Sequence, residues 1–331
     1  MSGLIDTFGR PLTYLRLAVT DRCNLRCQYC MPAKGIDLVD RKELLTFKEM
    51  YRIVRTLSEL GVNKLRLTGG EPFVRKNFIE FLEMLSYNDL LDEINLTTNG
   101  ALIGPYISRL EGLKIKNINL SIDSLSKENF AKITRRDAFE EIFSNLDALE
   151  KSTLNLKLNV VVQPGINTHE INDFVALTKT RNVAVRFIEE MPFNGAGLRK
   201  TKEVWNSEKI IATIEQRFPA LEKLTTPKSS TSINYKLPNH LGTFGVIPAF
   251  TRTICNDCNR IRITSTGQFK NCLFDEGVFN VRDFIRKGAS NDDLKQLFLS
   301  IVAKKPANGF IAEANRTKNK RVSESMSTIG G

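Results

Sequence analysis

Short β-rich runs alternate with amphipathic segments over the first part of the chain, and this alternation limits the folds that it can adopt. Six runs are typical of strands: YLRLAV (14–19), KLRLTG (64–69), EINLTT (93–98), NINLSI (117–122), LKLNVVV (156–162) and AVRFIEE (184–190). Between them, residues 46–61, 77–87, 138–151 and 169–180 have apolar side chains at helical spacing. Gly61 is expected to end the first of these helices, and Asn167-Thr168 to cap the last.

The alternation predicts right-handed βαβ units around a parallel sheet, which is an α/β fold. Six units are too few for a closed eight-stranded barrel. Either an incomplete (βα)6-type open barrel or a doubly wound sheet fits, and we favour the open barrel. In both folds ligands bind at the carboxyl ends of the strands. The cysteine-rich loop, TGGEP, TTNG, SIDS and EEMPFNG each follow a predicted strand, so we expect them to share one edge.

Composition indicates how the chain divides into two regions and in which cellular compartment we expect it. We assign residues 1–223 to the partial barrel and residues 224–331 to a C-terminal extension that carries a second cysteine group. Residues 224–240 predict an exposed loop and residues 315–331 a mobile tail. Without a signal-peptide pattern or a long apolar run, we expect a cytoplasmic protein that does not enter a membrane.

The charge balance favours an anionic partner. Lys and Arg number 48 against 37 Asp and Glu, which gives a net charge of +11 and attracts anions. No basic block interleaved with aromatic residues is present, which argues against a nucleic-acid groove.

The six cysteines fall into two groups of three. Cys23, Cys27 and Cys30 have the spacing C-x3-C-x2-C, and the C-terminal group has the spacing C-x2-C-x13-C. In a reducing cytosol such groups mark metal or catalytic sites more often than disulfides. Neither group has a fourth ligand for closed zinc coordination, whereas a [4Fe–4S] cluster on three thiolates keeps one iron open. Cysteines on a buried helix face, and thioredoxin-like chemistry at the second C-x2-C, are the competing interpretations.

Together these motifs resemble the radical S-adenosylmethionine superfamily and, within it, the GTP 3′,8-cyclase family (molybdenum cofactor biosynthesis protein A). The resemblance covers nearly the whole chain through YLRLAVTDRCNLRCQYCMP, LRLTGGEP, LTTNG, NLSIDS, RFIEEMPFNG, CNDCNRIRIT with CLF, and the terminal IGG. It implies a lyase that uses two [4Fe–4S] clusters and S-adenosylmethionine. The implied reaction converts GTP to 3′,8-cyclo-7,8-dihydro-GTP through a 5′-deoxyadenosyl radical, as the first step of molybdenum cofactor biosynthesis. The implied partners are an external electron donor and cyclic pyranopterin monophosphate synthase, and a homodimer is expected.

The resemblance also assigns roles to individual residues. The first triplet would hold the cluster that cleaves S-adenosylmethionine, and a second cluster that holds guanine would lie on Cys255, Cys258 and Cys272. The S-adenosylmethionine site would comprise Tyr29, Gly69, Gly70, Glu71, Ser121 and Met191. GTP would contact Arg16, Arg66, Thr97, Lys157, Arg260 and Arg262. The residues expected to be catalytic are the first triplet, Arg16, Arg260, Arg262, Gly330 and Gly331.

Some of these residues have ordinary alternative explanations. A glycine turn in TGGEP permits close approach to a ligand, but alone it is also a common turn. Arg16 and Arg66 alternate with apolar neighbours, so their side chains are expected to point into the barrel. An unpaired buried charge is costly, and either an anionic substrate or an ion pair with Glu189 or Glu190 would relieve that cost.

Two other functions stay open at this point. A twin-cluster radical enzyme that modifies a peptide would share the first cysteine motif without NRIR or the terminal IGG. An iron–sulfur or zinc-binding module could instead use the positive charge to hold RNA. In metal analysis, about eight iron atoms with acid-labile sulfide per chain would support two clusters, whereas zinc alone would favour the binding module. Two departures from the family pattern, KKPANGF without a histidine and the lengthened RVSESMSTIGG, concern the packing of the tail.

Overall fold

Twelve strands form one mixed sheet in the computed structural model of the chain, which describes residues 3–191, 193, 203–316 and 324–330. The strands are β1 (Tyr14–Ala18), β2 (Lys64–Thr68), β3 (Glu93–Thr98), β4 (Ile115–Ser121), β5 (Asn155–Val162), β6 (Ala184–Glu189), β7 (Glu222–Lys223), β8 (Ile233–Lys236), β9 (Thr243–Ile247), β10 (Arg260–Ile263), β11 (Gln268–Lys270) and β12 (Phe279–Asn280). The helices are α1 (Phe47–Glu59), α2 (Phe78–Ser86), α3 (Ile107–Glu111), α4 (Lys127–Thr134), α5 (Phe139–Glu150), α6 (Ile171–Leu177), α7 (Ser207–Arg217), α8 (Val281–Arg286), α9 (Asn291–Val302), α10 (Gly309–Ala314) and α11 (Met326–Ile329).

The central six strands confirm the predicted partial barrel. Strands β1 to β6 lie side by side in chain order, and each neighbouring pair is parallel. A doubly wound sheet reverses its strand order at a switch point, and this sheet has no such reversal among its described strands. The full order is β12-β11-β10-β1-β2-β3-β4-β5-β6-β9-β8-β7. Because β12 and β7 remain as edges, the barrel is open.

Helix α1 illustrates how the sequence pattern positions the outer layer. The Thr46 hydroxyl accepts a hydrogen bond from the Glu49 N–H, and the Glu49 carboxylate accepts one from the Thr46 N–H, which closes a capping box. Met50, Ile53 and Leu57 recur on one face and are fully buried. Burial of each such side chain contributes about 1.5–3 kcal/mol. Gly61, at a φ of +97°, follows the helix as expected.

The predicted cap at Asn167 is wrong. Its side chain makes no capping hydrogen bond to the short 3-10 turn that precedes α6. The amide donates instead to the carbonyl oxygens of Asp123 and Val161, and its oxygen accepts from the Gln163 N–H. Asn167 therefore joins the carboxyl ends of β4 and β5, a tertiary contact that local sequence does not predict.

The C-terminal region extends both sides of the parallel core. β9 pairs with β6, and β10 pairs with β1, in both cases parallel. Part of the segment 224–240 forms β8 rather than loop. The expectation of a mobile tail is wrong for the described residues 324–330, because Ser325, Ser327 and Ile329 are buried. Within the described ranges, none of the helices combines the length and apolar character needed to cross a bilayer.

Candidate active site

A cavity of about 310 Å³ lies inside the partial barrel, and all six cysteines line it. This volume is within the range of small-molecule sites. The first triplet lies in the loop after the carboxyl end of β1. Cys258 precedes β10, and Cys272 follows the antiparallel β11, so the second triplet lies toward the amino ends of the parallel strands. The two groups of thiols therefore face one space from opposite ends of the barrel.

The first triplet lies in a loop held by its own backbone and by the end of α4. The Cys27 carbonyl accepts hydrogen bonds from the Cys30 and Met31 N–H groups. The Arg135 guanidinium reaches across from the end of α4 and donates to the carbonyls of Arg26 and Met31. Burial raises the pKa of the Cys23 thiol to about 12 and raises the pKa values of Cys27 and Cys30. In the metal-free protein these groups are therefore protonated thiols, and metal binding must displace their protons.

The second triplet has a different electrostatic environment. Burial opposes ionisation of Cys258, but the charges of Arg260 and Lys305 outweigh it and lower the pKa to about 6. Burial raises the pKa of Cys272. The two triplets thus differ in how readily a metal centre replaces their protons.

The donor sets fit iron–sulfur clusters better than single metal ions. Each triplet supplies three thiols and no fourth cysteine, which leaves one position open on a four-iron cluster. Among the described residues, no three His, Cys, Asp or Glu side chains lie close enough together to hold one metal ion. Thiolates that bind different irons of a cluster are farther apart than ligands of one zinc ion. Closed zinc coordination uses four protein ligands, and each triplet supplies three thiols.

The TGGEP turn brings the end of β2 against the first thiol loop. Gly69 has a φ of +148°, and a Cβ atom there would lie 2.4 Å from the Thr20 carbonyl oxygen. A Cβ atom on Gly70 would lie 2.2 Å from the Arg22 carbonyl oxygen. No side chain fits at either position, so the two glycines permit the turn to pack on the backbone of the loop. Both glycines line the cavity.

Glu71 is buried between the loops that follow β2 and β3. Its buried carboxylate accepts hydrogen bonds from the Thr98 hydroxyl at 2.8 Å, the Asn99 N–H at 2.7 Å and the Phe73 N–H at 3.2 Å. Burial raises the pKa of Glu71 to about 7 although these donors lower it. The carboxylate joins the loops after β2 and β3. Its contact with S-adenosylmethionine stays a prediction.

Arg16, Arg66 and Arg262 form a row across three neighbouring strands. Arg16 on β1 is in register with Arg66 on β2 and with Arg262 on β10. Burial, reinforced by the neighbouring Arg262, lowers the pKa of Arg16 well below its ordinary value, and Arg16 Nε has no hydrogen-bond partner. Arg66 donates to the Tyr14 hydroxyl and to Thr97 Oγ1. These three predicted GTP contacts lie together, and Arg260 and Thr97 line the same cavity.

A second pair of cations extends this charge across the barrel. Lys157 on β5 and Arg186 on β6 are not joined to a carboxylate in any ion pair of the described residues. Burial, together with the charge of Arg186, lowers the pKa of Lys157 to about 7. Burial and the charge of Arg66 lower the pKa of Arg186 to about 10. The interior therefore has an excess of buried positive charge, which an anionic ligand would stabilise.

The alternative in which Glu189 neutralises these arginines is wrong. Glu189 is buried, and its carboxylate accepts from the Ser207, Phe250 and Thr251 N–H groups and from the Thr251 hydroxyl. It anchors the start of α7 and the segment that leads to Cys255. Among the ion pairs of the described residues, none joins Glu189 to Arg16, Arg66 or Arg262.

Sequence reasoning missed several residues that line the cavity, among them Tyr14, Asn119, Asp123, Asn159 and Arg186. Strand alternation could have identified some of them, because inward positions share the parity of Arg16 and Lys157 on their strands. Asp123 required the structure. Its carboxylate hydrogen-bonds the Tyr29 phenol, and burial raises its pKa to about 6.

The C-terminal segment enters the cavity. The Gly330 carbonyl accepts a hydrogen bond from Arg262 Nη1 at 2.8 Å. The Ser325 hydroxyl donates to the Cys30 carbonyl at 2.8 Å, and the Met326 N–H donates to the Phe193 carbonyl. Met191 and Ser121 line the cavity. Gly331 lies outside the described residues.

Comparisons with known proteins agree with this geometry. A family model described as the Radical SAM superfamily matches residues 17–178, and one described as Molybdenum Cofactor Synthesis C matches residues 183–311. Streptococcus suis SuiB bound to S-adenosylmethionine shares the fold, with a TM-score of 0.60 at 16% identity over 92% of this chain and 68% of that one. Polyhistidine-tagged anSMEcpe with bound AdoMet aligns with a TM-score of 0.57 at 16% identity, over 88% of this chain and 81% of that one. The fold and the thiol loop define a radical S-adenosylmethionine enzyme.

Sequence relatives show to which family of radical S-adenosylmethionine enzymes the chain belongs. GTP 3′,8-cyclase of Desulforamulus reducens is 38% identical over 99% of this chain and all of the relative. The mitochondrial GTP 3′,8-cyclase of Arabidopsis thaliana is 37% identical over 99% of this chain and 83% of the relative. Molybdenum cofactor biosynthesis protein 1 of Dictyostelium discoideum is 39% identical over 92% of this chain, which spans about half (49%) of that relative's length. The chain belongs to the GTP 3′,8-cyclase family.

Proposed function

We propose that this protein converts GTP to 3′,8-cyclo-7,8-dihydro-GTP, the first step of molybdenum cofactor biosynthesis. The observation that carries the proposal is the shared cavity: both thiol triplets line it, and buried cations line it with them. One end suits a cluster that binds S-adenosylmethionine, and the other suits a cluster that binds a purine. The cations in the interior suit a triphosphate.

The cofactors are two [4Fe–4S] clusters and S-adenosylmethionine, with one cluster on each cysteine triplet. When bound, they supply one-electron cleavage of S-adenosylmethionine to a 5′-deoxyadenosyl radical that removes the 3′ hydrogen of GTP. The protein binds, orients and shields these groups. Gly69 and Gly70 pack against the first thiol loop and line the cavity, so their backbone can contact the methionine group beside the cluster. Tyr29, Ser121 and Met191 complete that site, and Glu71 supports it from behind through the loop after β3.

In this proposal the arginine row binds the triphosphate of GTP. Arg16, Arg66 and Arg262 lie in neighbouring strands at one level, so a triphosphate can contact several guanidinium groups at once. Arg260 lies two residues from this level toward the amino ends of the strands, and Lys157 lies two residues from it toward their carboxyl ends. Neutralisation of these charges gives GTP binding a strong electrostatic component, because the guanidinium groups are already desolvated before the substrate arrives.

The terminal segment has a positioning role in this proposal. Arg262 donates to the Gly330 carbonyl, so the last residues hold one substrate-binding arginine in place. We assign Gly331 to the same terminal segment on the basis of the family's C-terminal Gly-Gly pattern. An external one-electron donor and transfer of the product to cyclic pyranopterin monophosphate synthase belong to the same proposal, as do a homodimer and a cytoplasmic location. Within the chain, the proposal retains the division into residues 1–223 and 224–331.

Anaerobic turnover tests the function. Reconstituted protein is incubated with dithionite, S-adenosylmethionine and GTP, and 5′-deoxyadenosine and the cyclised nucleotide are quantified by chromatography. We expect about eight iron atoms per chain for two clusters and 5′-deoxyadenosine formation that requires GTP. ATP replaces GTP in the matched control and should not support formation of a cyclised product. Protein with both clusters that forms no cyclised GTP would overturn the proposal.

A further inference from the structure

The segment that joins α9 to α10 contacts all three parts of the chain that carry the second cysteine triplet. These parts are far apart in sequence: one contains Cys255, one joins Cys258 to Arg260, and one contains Cys272. Two cationic side chains, Lys305 from this segment and Arg10 from the amino end of the chain, make the connections. Neither residue lines the cavity.

Lys305 is 4% exposed, and its ammonium donates to two carbonyl oxygens. One belongs to Arg260, at 2.8 Å, and the other to Asn271. Arg260 lies two positions after Cys258, and Asn271 directly precedes Cys272. The ammonium therefore bridges the start of β10 to the residue before the third cysteine.

Arg10 makes the complementary connection to the first cysteine of the triplet. Its guanidinium donates to the Cys255 carbonyl at 3.1 Å, and to the carbonyls of Pro306 at 2.8 Å and Ala307 at 2.7 Å. Asp6 accepts from Arg10 Nε at 2.7 Å and balances its charge. Arg10 therefore fixes the Cys255 loop to the residues that follow Lys305.

The charge of Lys305 is not balanced in the same way. Among the ion pairs of the described residues, none includes Lys305. Asp275 faces the same region, but its carboxylate accepts from the Cys272 and Gly277 N–H groups. Lys270, the other buried ammonium nearby, pairs with Glu324. A buried ammonium that has only carbonyl partners is costly unless an anion lies close to it.

We propose that Arg10 and Lys305 are positioning residues for the second metal centre, and that the unbalanced ammonium of Lys305 also stabilises its reduced state. Three thiolates on a four-iron core make the centre anionic, and reduction adds a further negative charge. A fixed positive charge behind the ligands favours that reduction. This inference rests on the proposed function, because it requires a cluster on the second triplet.

The test uses the full chain with Cys23, Cys27 and Cys30 replaced by Ala, so that only the second centre is present. Lys305→Gln keeps hydrogen-bond donors for the two carbonyls and removes the charge, whereas Lys305→Met removes both. The exposed neighbour Lys304 provides the matched control, Lys304→Met. After anaerobic reconstitution with iron and sulfide, each protein is analysed for iron and titrated potentiometrically by electron paramagnetic resonance.

We expect Lys305→Gln to retain about four iron atoms and to show an approximately tenfold lower ratio of reduced to oxidised cluster at fixed potential, or about 59 mV for one electron. Lys305→Met should show the same shift and lose iron. A midpoint in Lys305→Gln equal to that of Lys304→Met would overturn the role of the charge while the proposed function stands. Failure of the parent protein to bind iron would instead contradict the second cluster itself.

Arg10→Gln tests the positioning role independently of the folding of the Lys305 variants. Because Asp6 already balances Arg10, we expect no shift of the midpoint. Loss of the Cys255 contact should accelerate removal of iron by bathophenanthroline disulfonate about tenfold. An unchanged rate of iron loss would refute the positioning role of Arg10.

Discussion

Glu189 gives the sharpest test of how the barrel supports the site. Its carboxylate is 1% exposed. One oxygen accepts from the Phe250 and Thr251 N–H groups, both at 2.8 Å, and the other accepts from the Ser207 N–H at 2.7 Å. The Thr251 hydroxyl lies 3.0 Å from both oxygens. Glu189→Gln retains the shape of the side chain and replaces one acceptor with a donor.

The expected loss of stability follows from these contacts. The amide oxygen of Gln can face Phe250 and Thr251, which leaves the half-buried Ser207 N–H without an acceptor, at a cost near the lower end of about 1–3 kcal/mol. The two retained hydrogen bonds lose their charge assistance, roughly half of their strength. A neutral amide is easier to bury than a carboxylate, which offsets part of the loss. We expect a net decrease of about 2 kcal/mol in the free energy of unfolding, which is a typical magnitude for a broken buried network.

Urea denaturation of the reduced, metal-free protein measures this decrease. Glu208→Gln is the matched control, because Glu208 is an exposed carboxylate in the first turn of α7 and should change stability by less than about 0.5 kcal/mol. Since Phe250 and Thr251 begin the segment that leads to Cys255, iron retention at the second triplet should also decrease in Glu189→Gln. Equal unfolding free energies for the two variants would refute the reasoning.

Three further substitutions test the substrate side of the cavity. Arg66→Met should weaken GTP binding about 10- to 100-fold by anaerobic calorimetry, as expected for hydrogen bonds of a charged group worth about 1.5–3 kcal/mol. Burial and the charge of Arg186 lower the pKa of Lys157 to about 7, and a bound triphosphate favours the protonated form. GTP binding should therefore take up a proton above pH 7 and weaken as the pH rises, an effect that calorimetry in two buffers detects and that Lys157→Met should lack. Gly330→Ala places a Cβ atom 2.9 Å from Thr68 Cγ2 at a φ of +78°, so turnover should fall about tenfold while iron content is retained.

Each expectation has a contrary outcome. Unchanged GTP affinity in Arg66→Met would place the triphosphate away from the arginine row. If GTP binding takes up no proton at pH 8, Lys157 does not contact the phosphates. Full turnover in Gly330→Ala would show that the terminal segment can leave the cavity without consequence.

Much of the fold could be predicted from the sequence because local and tertiary preferences agree. On β5, alternate residues Leu156, Leu158 and Val160 pack outward in the core, while Lys157 and Asn159 face inward. The same alternation places Arg16 and Arg66 in the barrel. The thiol loop and glycine turn follow their strands as expected, because a parallel sheet brings the carboxyl ends of its strands together.

The rest depended on contacts between distant parts of the chain. Nothing near Glu189 in sequence indicates that its partners are residues 207, 250 and 251. The hydrogen bonds that the Glu71 carboxylate accepts from Thr98 and Asn99 in the loop after β3 likewise have no signal in its own motif. The position of the second triplet required the antiparallel pairing of β10 with β11, which reverses the chain and returns Cys272 to the end where Cys258 lies.

The buried terminal segment has a consequence for how the protein is made. Ser325, which hydrogen-bonds Cys30, is separated from it by 295 residues. At about 5–20 residues per second, a ribosome needs roughly 15–60 s to produce that interval. During this time the first thiol loop lacks the hydrogen bond from the Ser325 hydroxyl to the Cys30 carbonyl. This contact of the first thiol loop can therefore form only after nearly the whole polypeptide has been synthesised.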